Sequence, residues 1–165
     1  MSGTGGTSRG GPSHDGGPVA GQVCPPHAYA HSRVQLFRFS AVSWNSHRIH
    51  YDAQFAASEG FPDVVVQSTL HGETLSRYAL RWAGPGAVLE SVSWRNRATA
   101  VAGEKLTWTA TVRTTEPCDA GVRVALDVAV LKDNGSPCVT GQVELTWRAP
   151  GTSPSAEWSP GPATS

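Results

Sequence analysis

The chain has 165 residues, with 13 basic and 13 acidic side chains and a formal net charge of zero at pH 7. Because only 16% of its residues are charged, it lacks the basic character typical of proteins that bind nucleic acid or an anionic membrane surface. The length predicts a single domain, and no apolar run approaches the length of a membrane span.

The cysteines and the N-terminal residues indicate the cellular compartment in which the protein folds. Three cysteines, Cys24, Cys118 and Cys138, form no Cys-x-x-Cys pair and are odd in number. This pattern predicts neither a disulfide framework nor a zinc site, and it is typical of a reducing cytoplasm. The first residues also lack the apolar stretch of a secretory signal, so we expect a soluble cytoplasmic protein.

Both ends of the chain have a composition that disfavours folding. Residues 1–26 contain eight Gly and four Pro, and residues 150–165 contain four Pro. Such segments bury too little apolar surface to offset the chain entropy lost on folding. The sequence therefore predicts disordered tails at 1–26 and 150–165 around one domain at 27–149.

The first elements of this domain are short. Polar and apolar residues alternate over Arg33–Phe39, which predicts a half-buried strand. A polar loop follows, and Asp52 is placed to cap a short helix that runs to Ala57. Glu59 to Pro62, with the sequence EGFP, predicts a turn.

A long helix is predicted next, in the segment VVVQSTLHGETLSRYALRWAG. Its apolar residues recur at the spacing of one helical face, and Gly84-Pro85-Gly86 ends it. The predicted buried positions are Leu70, Leu75, Tyr78, Ala79 and Trp82.

The remainder of the domain reads as four strands. They are Ala87–Thr99, Glu104–Thr115, Gly121–Lys132 and Cys138–Arg148. Asn134-Gly135 between the last two is a strong hairpin signal. The order of elements predicts an α+β fold, in which one helix packs on a curved antiparallel meander.

A cluster of polar side chains lies between the first strand and the short helix. Its members are Asn45, His47, Arg48, His50, Tyr51 and Asp52. From the residues alone, an irregular loop that satisfies its own backbone is one interpretation. A metal site is disfavoured because His47 and His50 have no Cys or third His near them in sequence. For Asp52 the cap is favoured over a catalytic role.

The segment FRFSAVSWNSHRIHYD, followed by EGFPDVVVQSTL and the long helix, resembles the MaoC-like hot-dog hydratases and dehydratases. The resemblance is closest to the branch of mesaconyl- and itaconyl-CoA hydratases and FAS1-like dehydratase domains, and it extends from about Arg33 to Arg148. It implies a single hot-dog fold, in which a curved antiparallel sheet wraps one long central helix.

The motif of the wider family, Asp-x-Asn-Pro-x-His, is only partly kept. Its His falls on His50, while Asn45, His47 and Arg48 replace its Asp, Asn and Pro. The branch named above also resembles this chain in carrying Asn at the first position. Where the family commonly has His-Gly at the start of the long helix, this chain has Gln67-Ser68.

The resemblance implies reversible addition of water across the 2,3-double bond of an acyl thioester, with no cofactor and no metal. The chain would be an (R)-specific enoyl-thioester hydratase or a 3-hydroxyacyl-thioester dehydratase, with its substrate on CoA or an acyl carrier protein. His50 would transfer protons and Asn45 would orient the water. The backbone N–H of Ser68, with Gln67 beside it, would hold the thioester oxygen; alternatively, Gln67-Ser68-Thr69 is an ordinary N-terminal cap of the helix.

The roles of several other residues stay open at this stage. His47 and Arg48 either support the site or contact anionic groups of the substrate. Glu73 is the candidate nucleophile or base of a hot-dog thioesterase, or an ordinary helical Glu favoured by the helix dipole.

The partner is also open, because family members pair two hot-dog units and this chain holds one. We expect a homodimer, or a heterodimer with a second hot-dog subunit, in which this chain is either catalytic or non-catalytic. Four tryptophans are expected in the core or, alternatively, along an acyl pocket: Trp44, Trp82, Trp94 and Trp108.

Overall fold

A computed structural model describes residues 17–147. In chain order the elements are β1 (His27–Ala30), α1 (Arg33–Val42), a 3₁₀ turn (Arg48–His50), α2 (Ala53–Ser58), α3 (Ser68–Ala83), β2 (Val88–Asn96), β3 (Lys105–Cys118), β4 (Gly121–Lys132) and β5 (Pro137–Trp147). The strands form one antiparallel sheet in the order β1-β3-β4-β5-β2. The predicted α+β class, one long helix on an antiparallel sheet, is confirmed.

The predicted meander is correct only for β3, β4 and β5. Strand β2 pairs with β5 at one edge of the sheet instead of forming a hairpin with β3. The connection from β2 to β3 is engaged elsewhere: Ala100 O accepts from Val66 N at 2.9 Å, and Ala102 N donates to Val64 O at 2.9 Å. These bonds tie the crossover to the segment that leads into α3.

Helix α3 packs its apolar face on the sheet as the spacing predicted. All five predicted core positions are buried, and Gly84, with φ of 83°, ends the helix. Gly72 allows a close approach, because a Cβ there would lie 2.5 Å from the ring of Trp94 on β2. Trp82 and Trp108 are in the core, whereas Trp44 is 93% exposed.

The predicted strand at Arg33–Phe39 is wrong, because these residues begin α1. Ser32 caps the helix by accepting a hydrogen bond from Gln35 N at 3.2 Å. Only Leu36 and Ser40, one turn apart, are buried, and Val34 and Phe37 remain exposed. The alternation in RVQLFRF therefore does not reflect a strand with one face in the core. The edge position beside β3 is taken by β1 instead.

Part of the predicted N-terminal tail packs on the domain. Cys24 is buried, its N–H donates to Ala110 O at 2.9 Å, and Gln22 O accepts from Val112 N at 2.9 Å. Backbone pairing with β3 thus orders residues whose side chains give little apolar burial. Residues 1–16 and the predicted tail at 150–165 lie outside the described residues. No helix within residues 17–147 is long and apolar enough to cross a membrane.

Candidate active site

His50 ends the 3₁₀ turn and is buried against the segment before α3. Its Nδ1 donates to Val65 O at 2.8 Å, and Ile49 O accepts from Val65 N at 2.8 Å. A carbonyl oxygen only accepts, so Nδ1 carries the proton and the Nε2 lone pair of the neutral ring is left available. The two bonds fix both the position and the tautomer of this imidazole.

The surroundings of His50 favour its neutral form. Burial lowers the pKa of the imidazole below its usual value, the hydrogen bond to Val65 raises it in part, and the nearby His47 lowers it further. An uncharged imidazole with a free Nε2 can accept a proton near neutral pH.

Asn45 is oriented by the loop that carries the histidines. Its N–H donates to Ser40 O at 3.0 Å, and its Oδ1 accepts from His47 N at 3.2 Å. Among residues 17–147 the Asn45 Nδ2 hydrogens have no recorded acceptor, so they are available to a water or hydroxyl. The side chain lines a cleft of about 450 Å³ together with Phe37, Trp44 and other residues.

His47 and Arg48 make contacts that support the turn. His47 Nδ1 accepts from Ile49 N at 3.4 Å, and its ring centroid lies 6.0 Å from that of His50. The Arg48 guanidinium binds Asp52 at 2.6 Å and lies 4.6 Å above the centre of the Phe55 ring.

The Asp52 cap is confirmed, because Asp52 Oδ1 accepts from Phe55 N at 3.0 Å. This bond, followed by the Arg48 contact, lowers the pKa of the Asp52 carboxyl. Asp52 is therefore ionised at neutral pH and cannot serve as a proton donor there.

The N-terminus of α3 offers free backbone donors. Gln67 is the N-cap, and its carbonyl accepts from Leu70 N and His71 N. Within the described part of the chain no acceptor is recorded for Ser68 N or Thr69 N, which lie at the positive end of the helix dipole. The Ser68 hydroxyl is engaged separately, since its Oγ accepts from Trp94 Nε1 at 3.1 Å.

Gln67 was expected beside the thioester oxygen, but its side chain binds α1 instead. It is 1% exposed, and its Nε2 donates to Leu36 O and Ser40 Oγ, both at 2.9 Å. Because both amide hydrogens are used, the side chain holds α1 against α3 and has no donor left for a substrate. Sequence reasoning missed this contact because it placed the α1 residues in a strand.

The structure brings the two halves of the predicted site together through Val65. His50 is bonded to its carbonyl, and Ser68 follows three residues later in the chain. The role of Val65 was not predicted, because a backbone acceptor leaves no pattern in the side chains. Trp94, which donates to Ser68 Oγ, was predicted only in the core or along an acyl pocket. Glu73 forms a 2.6 Å ion pair with Arg77, four residues further along α3. Within residues 17–147 no three His, Cys, Asp or Glu side chains are grouped to hold a metal ion.

A comparison with protein families decides the classification. The sequence profile described as "Htd2: Hydroxyacyl-thioester dehydratase type 2" matches residues 20–102, half of the chain. The chain belongs to this family. The match includes the Asn45 to His50 loop, Val65 and the start of α3, so the family assignment covers the candidate site.

Relatives of this dehydratase family member agree with that assignment. A 36-residue segment is 56% identical to the mesaconyl-C(4)-CoA hydratase of Chloroflexus aurantiacus. That match covers 21% of this chain but only 13% of the relative's length.

Solved structures show the same hot-dog fold. The ChsH1-ChsH2 complex of Mycobacterium tuberculosis matches with a TM-score of 0.71 and 24% identity, over 79% of this chain and 98% of that one. The (R)-hydratase from A. caviae involved in PHA biosynthesis matches with a TM-score of 0.71 and 19% identity, over 78% and 96% of the two chains. The R-hydratase PhaJ1 from Pseudomonas aeruginosa matches with a TM-score of 0.72 and 24% identity, over 79% of this chain and 83% of that one.

Proposed function

We propose that this chain is an (R)-specific enoyl-thioester hydratase, or in the reverse direction a 3-hydroxyacyl-thioester dehydratase, acting on an acyl group carried by CoA or an acyl carrier protein. The observation that carries the proposal is the link between His50 and α3. A neutral imidazole with a free Nε2 is bonded to Val65, three residues before an unpaired helical N–H. Family membership and the mesaconyl-C(4)-CoA hydratase match support the same chemistry.

The residues divide the reaction as follows. In hydration, His50 Nε2 takes one proton from water while the water oxygen bonds to carbon 3 of the enoyl group. The π electrons move towards the thioester oxygen, whose negative charge is stabilised by Ser68 N–H and the helix dipole. The proton on His50 Nε2 then passes to carbon 2. One imidazole thus handles both protons, and dehydration runs these steps in reverse.

Asn45 holds the water in this scheme. Its Nδ2 donates to the water oxygen, while its Oδ1 stays fixed on His47 N. An amide cannot take up the proton, so His50 is the sole proton-transfer group. His47 and Arg48 act by supporting the turn that presents His50.

Hydration of crotonyl-CoA tests the proposal. Loss of the absorbance of the conjugated thioester is followed for the wild type and His50→Ala, with Ser76→Ala, a change on α3 away from the site, as the matched control. We expect His50→Ala to lose at least 10²-fold in rate, as for other general acid–base groups, and Ser76→Ala to retain activity. Equal rates for wild type and His50→Ala would contradict the assignment.

A thiol-trapping reagent in a parallel assay separates this function from a thioesterase. Hydrolysis would release free CoA thiol and would depend on Glu73, whereas hydration releases none. Because Glu73 is paired with Arg77 on the helix surface, we expect no thiol signal, and Glu73→Gln should leave hydration unchanged.

We further propose that the chain pairs with a second hot-dog unit. In this single chain β2 lies at an open edge of the sheet, and exposed edges favour pairing. Apolar side chains on and after α1 are also exposed, among them Val34, Phe37, Val42 and Trp44. Two of the neighbouring structures, ChsH1-ChsH2 and HadBC, are complexes of two different subunits.

Light scattering on the purified full chain distinguishes the partners. A particle of twice the chain mass with hydratase activity indicates a homodimer, whereas an inactive monomer indicates a separate subunit. We also propose a cytoplasmic location, because three cysteines without a Cys-x-x-Cys pair are typical of a reducing compartment.

A further inference from the structure

Within residues 17–147, three buried polar atoms without partners belong to residues at the start of α3 and just before α1. They are Gln67 Oε1, His71 Nδ1 and His31 Nε2, on side chains that are 1%, 2% and 0% exposed. Gln67 and His71 are four residues apart and share one side of α3. His31 directly precedes the α1 cap, and its ring centroid is 6.4 Å from that of His71. We call Gln67, His71 and His31 the polar seam.

Two of the three unpaired atoms in the polar seam are hydrogen-bond acceptors. His31 Nδ1 lies 3.1 Å from Gln35 Oε1, which only accepts, so the proton is on Nδ1 and Nε2 is an acceptor. Gln67 uses both amide hydrogens on α1, which leaves Oε1 as an acceptor. An unpaired buried acceptor costs free energy, and a group that donates an O–H or N–H would remove that cost.

The seam is also uncharged at neutral pH. Burial lowers the pKa of His31 and lowers that of His71 to about 4. A carboxylate would find neutral rings and a carbonyl oxygen instead of a cation, with acceptors facing its own acceptors. A hydroxyl both donates and accepts, so it can donate to His31 and accept from His71 when Nδ1 of that ring carries its proton.

The seam begins where the thioester is proposed to bind. Gln67 precedes Ser68, and His71 is three residues further on, a rise of about 4.5 Å along the helix. A group that leaves the thioester carbonyl along this side of α3 reaches His71 within a short acyl chain. Beyond it, Trp108 lies 5.7 Å from His31, centroid to centroid, and is buried.

We propose that the polar seam binds a hydroxyl group on the acyl chain, so that the preferred substrates are short enoyl thioesters with a hydroxyl a few carbons beyond the thioester. This inference rests on the proposed hydratase function. His31 and His71 are substrate-binding residues in it, and Gln67 lines the same seam.

The test compares kcat/KM for four thioesters: crotonyl-CoA, its 4-hydroxy derivative, its 4-carboxylate analogue and 2-octenoyl-CoA. We expect the hydroxylated substrate to exceed crotonyl-CoA by about tenfold, which is the effect of one added hydrogen bond, and the carboxylate to be the poorest of the short substrates. In His71→Leu the tenfold preference should fall to about one. In Ser76→Ala, a control on another part of α3, it should persist.

His71→Gln controls for a folding defect in His71→Leu. Because it keeps a polar group, it should keep part of the preference for the hydroxylated substrate at an unchanged melting temperature. Hydration of crotonyl-CoA at a rate equal to or above that of its hydroxy derivative would overturn the proposal while the function stands. So would a preference for octenoyl-CoA, because its acyl chain carries no hydroxyl that could pair with the seam.

If no thioester is hydrated, the proposed function fails, and binding still decides the seam. Calorimetry on the wild type then compares 4-hydroxybutyryl-CoA with butyryl-CoA. Tighter binding of the hydroxylated ligand, lost in His71→Leu, would support a hydroxyl-binding seam, and equal affinities would overturn it.

Discussion

Replacing Ser68 by proline removes the proposed oxyanion donor with little disturbance of the helix. Ser68 is the first residue of α3, where proline is over-represented because its missing N–H has no intrahelical partner. Proline also restricts the preceding residue to extended backbone. Gln67 already has φ of −65° and ψ of 139°, so the substitution demands no change there.

The matched control is Ser68→Ala. Both variants lose the bond from Trp94 Nε1 to Ser68 Oγ, which contributes about 1 kcal/mol, but only proline loses the N–H. Relative to Ser68→Ala, we expect Ser68→Pro to lower kcat by about 10²–10³, equivalent to about 2.7–4 kcal/mol of transition-state stabilisation. The melting temperatures of the two variants should agree within about 4 °C.

Crotonyl-CoA hydration and thermal unfolding of the same preparations provide the measurement. If Ser68→Pro folds as stably as Ser68→Ala and hydrates within about threefold of its rate, Ser68 N–H does not stabilise the thioester oxygen. A large fall in melting temperature specific to proline would instead show that the backbone at this position is not free.

Three further outcomes follow from the same contacts. First, kcat/KM for hydration should fall as the pH drops through the lowered pKa of His50, because the protonated ring cannot act as a base. His47→Gln should move this limb to higher pH, because His47 contributes to lowering the pKa of His50, and an unmoved limb would contradict that coupling. Second, Gly72→Ala should lower the free energy of unfolding in urea by about 1 kcal/mol. Overpacking against Trp94 costs about 1–3 kcal/mol, and the higher helix propensity of alanine offsets about 1 kcal/mol of this cost. Unchanged stability would show that the Trp94 ring moves aside freely. Third, Gln67→Met should lower stability by about 1–3 kcal/mol by leaving Leu36 O and Ser40 Oγ without their donor, and a smaller loss would show that α1 does not depend on this contact.

The sequence predicted the elements whose side chains have a clear period. Helix α3, the Asp52 cap and the strands β3 to β5 were found because burial on one face, or a capping carboxylate, leaves a pattern in the residues. Helix α1 was mistaken for a strand because it buries only Leu36 and Ser40, which is too little to impose a 3.6-residue period. The edge position of β2 was missed because it depends on backbone bonds between the crossover and residues 64–66.

In the candidate site too, features that depend on backbone bonds could not be predicted from the sequence. His50 was proposed from its position in a motif, and its place beside α3 depends on a backbone carbonyl that any residue at position 65 would supply. The engaged Gln67 amide was equally invisible, since its acceptors are a backbone oxygen and a serine on an element of the wrong predicted type.

Two departures from the family motif, His47 and Arg48, concern rigidity more than chemistry. Where the wider family has proline, whose ring fixes φ, this chain has Arg48, and the turn is held instead by the ion pair with Asp52 and the stacking on Phe55. His47 adds a bond to Ile49 N inside the same turn. Since an exposed ion pair contributes at most about 1 kcal/mol and is screened by salt, the bonds between Val65 and the Ile49-His50 pair must carry much of the positioning. The orientation of His50 is therefore coupled to the segment that begins α3, so the proposed base and the proposed oxyanion donor are linked through Val65.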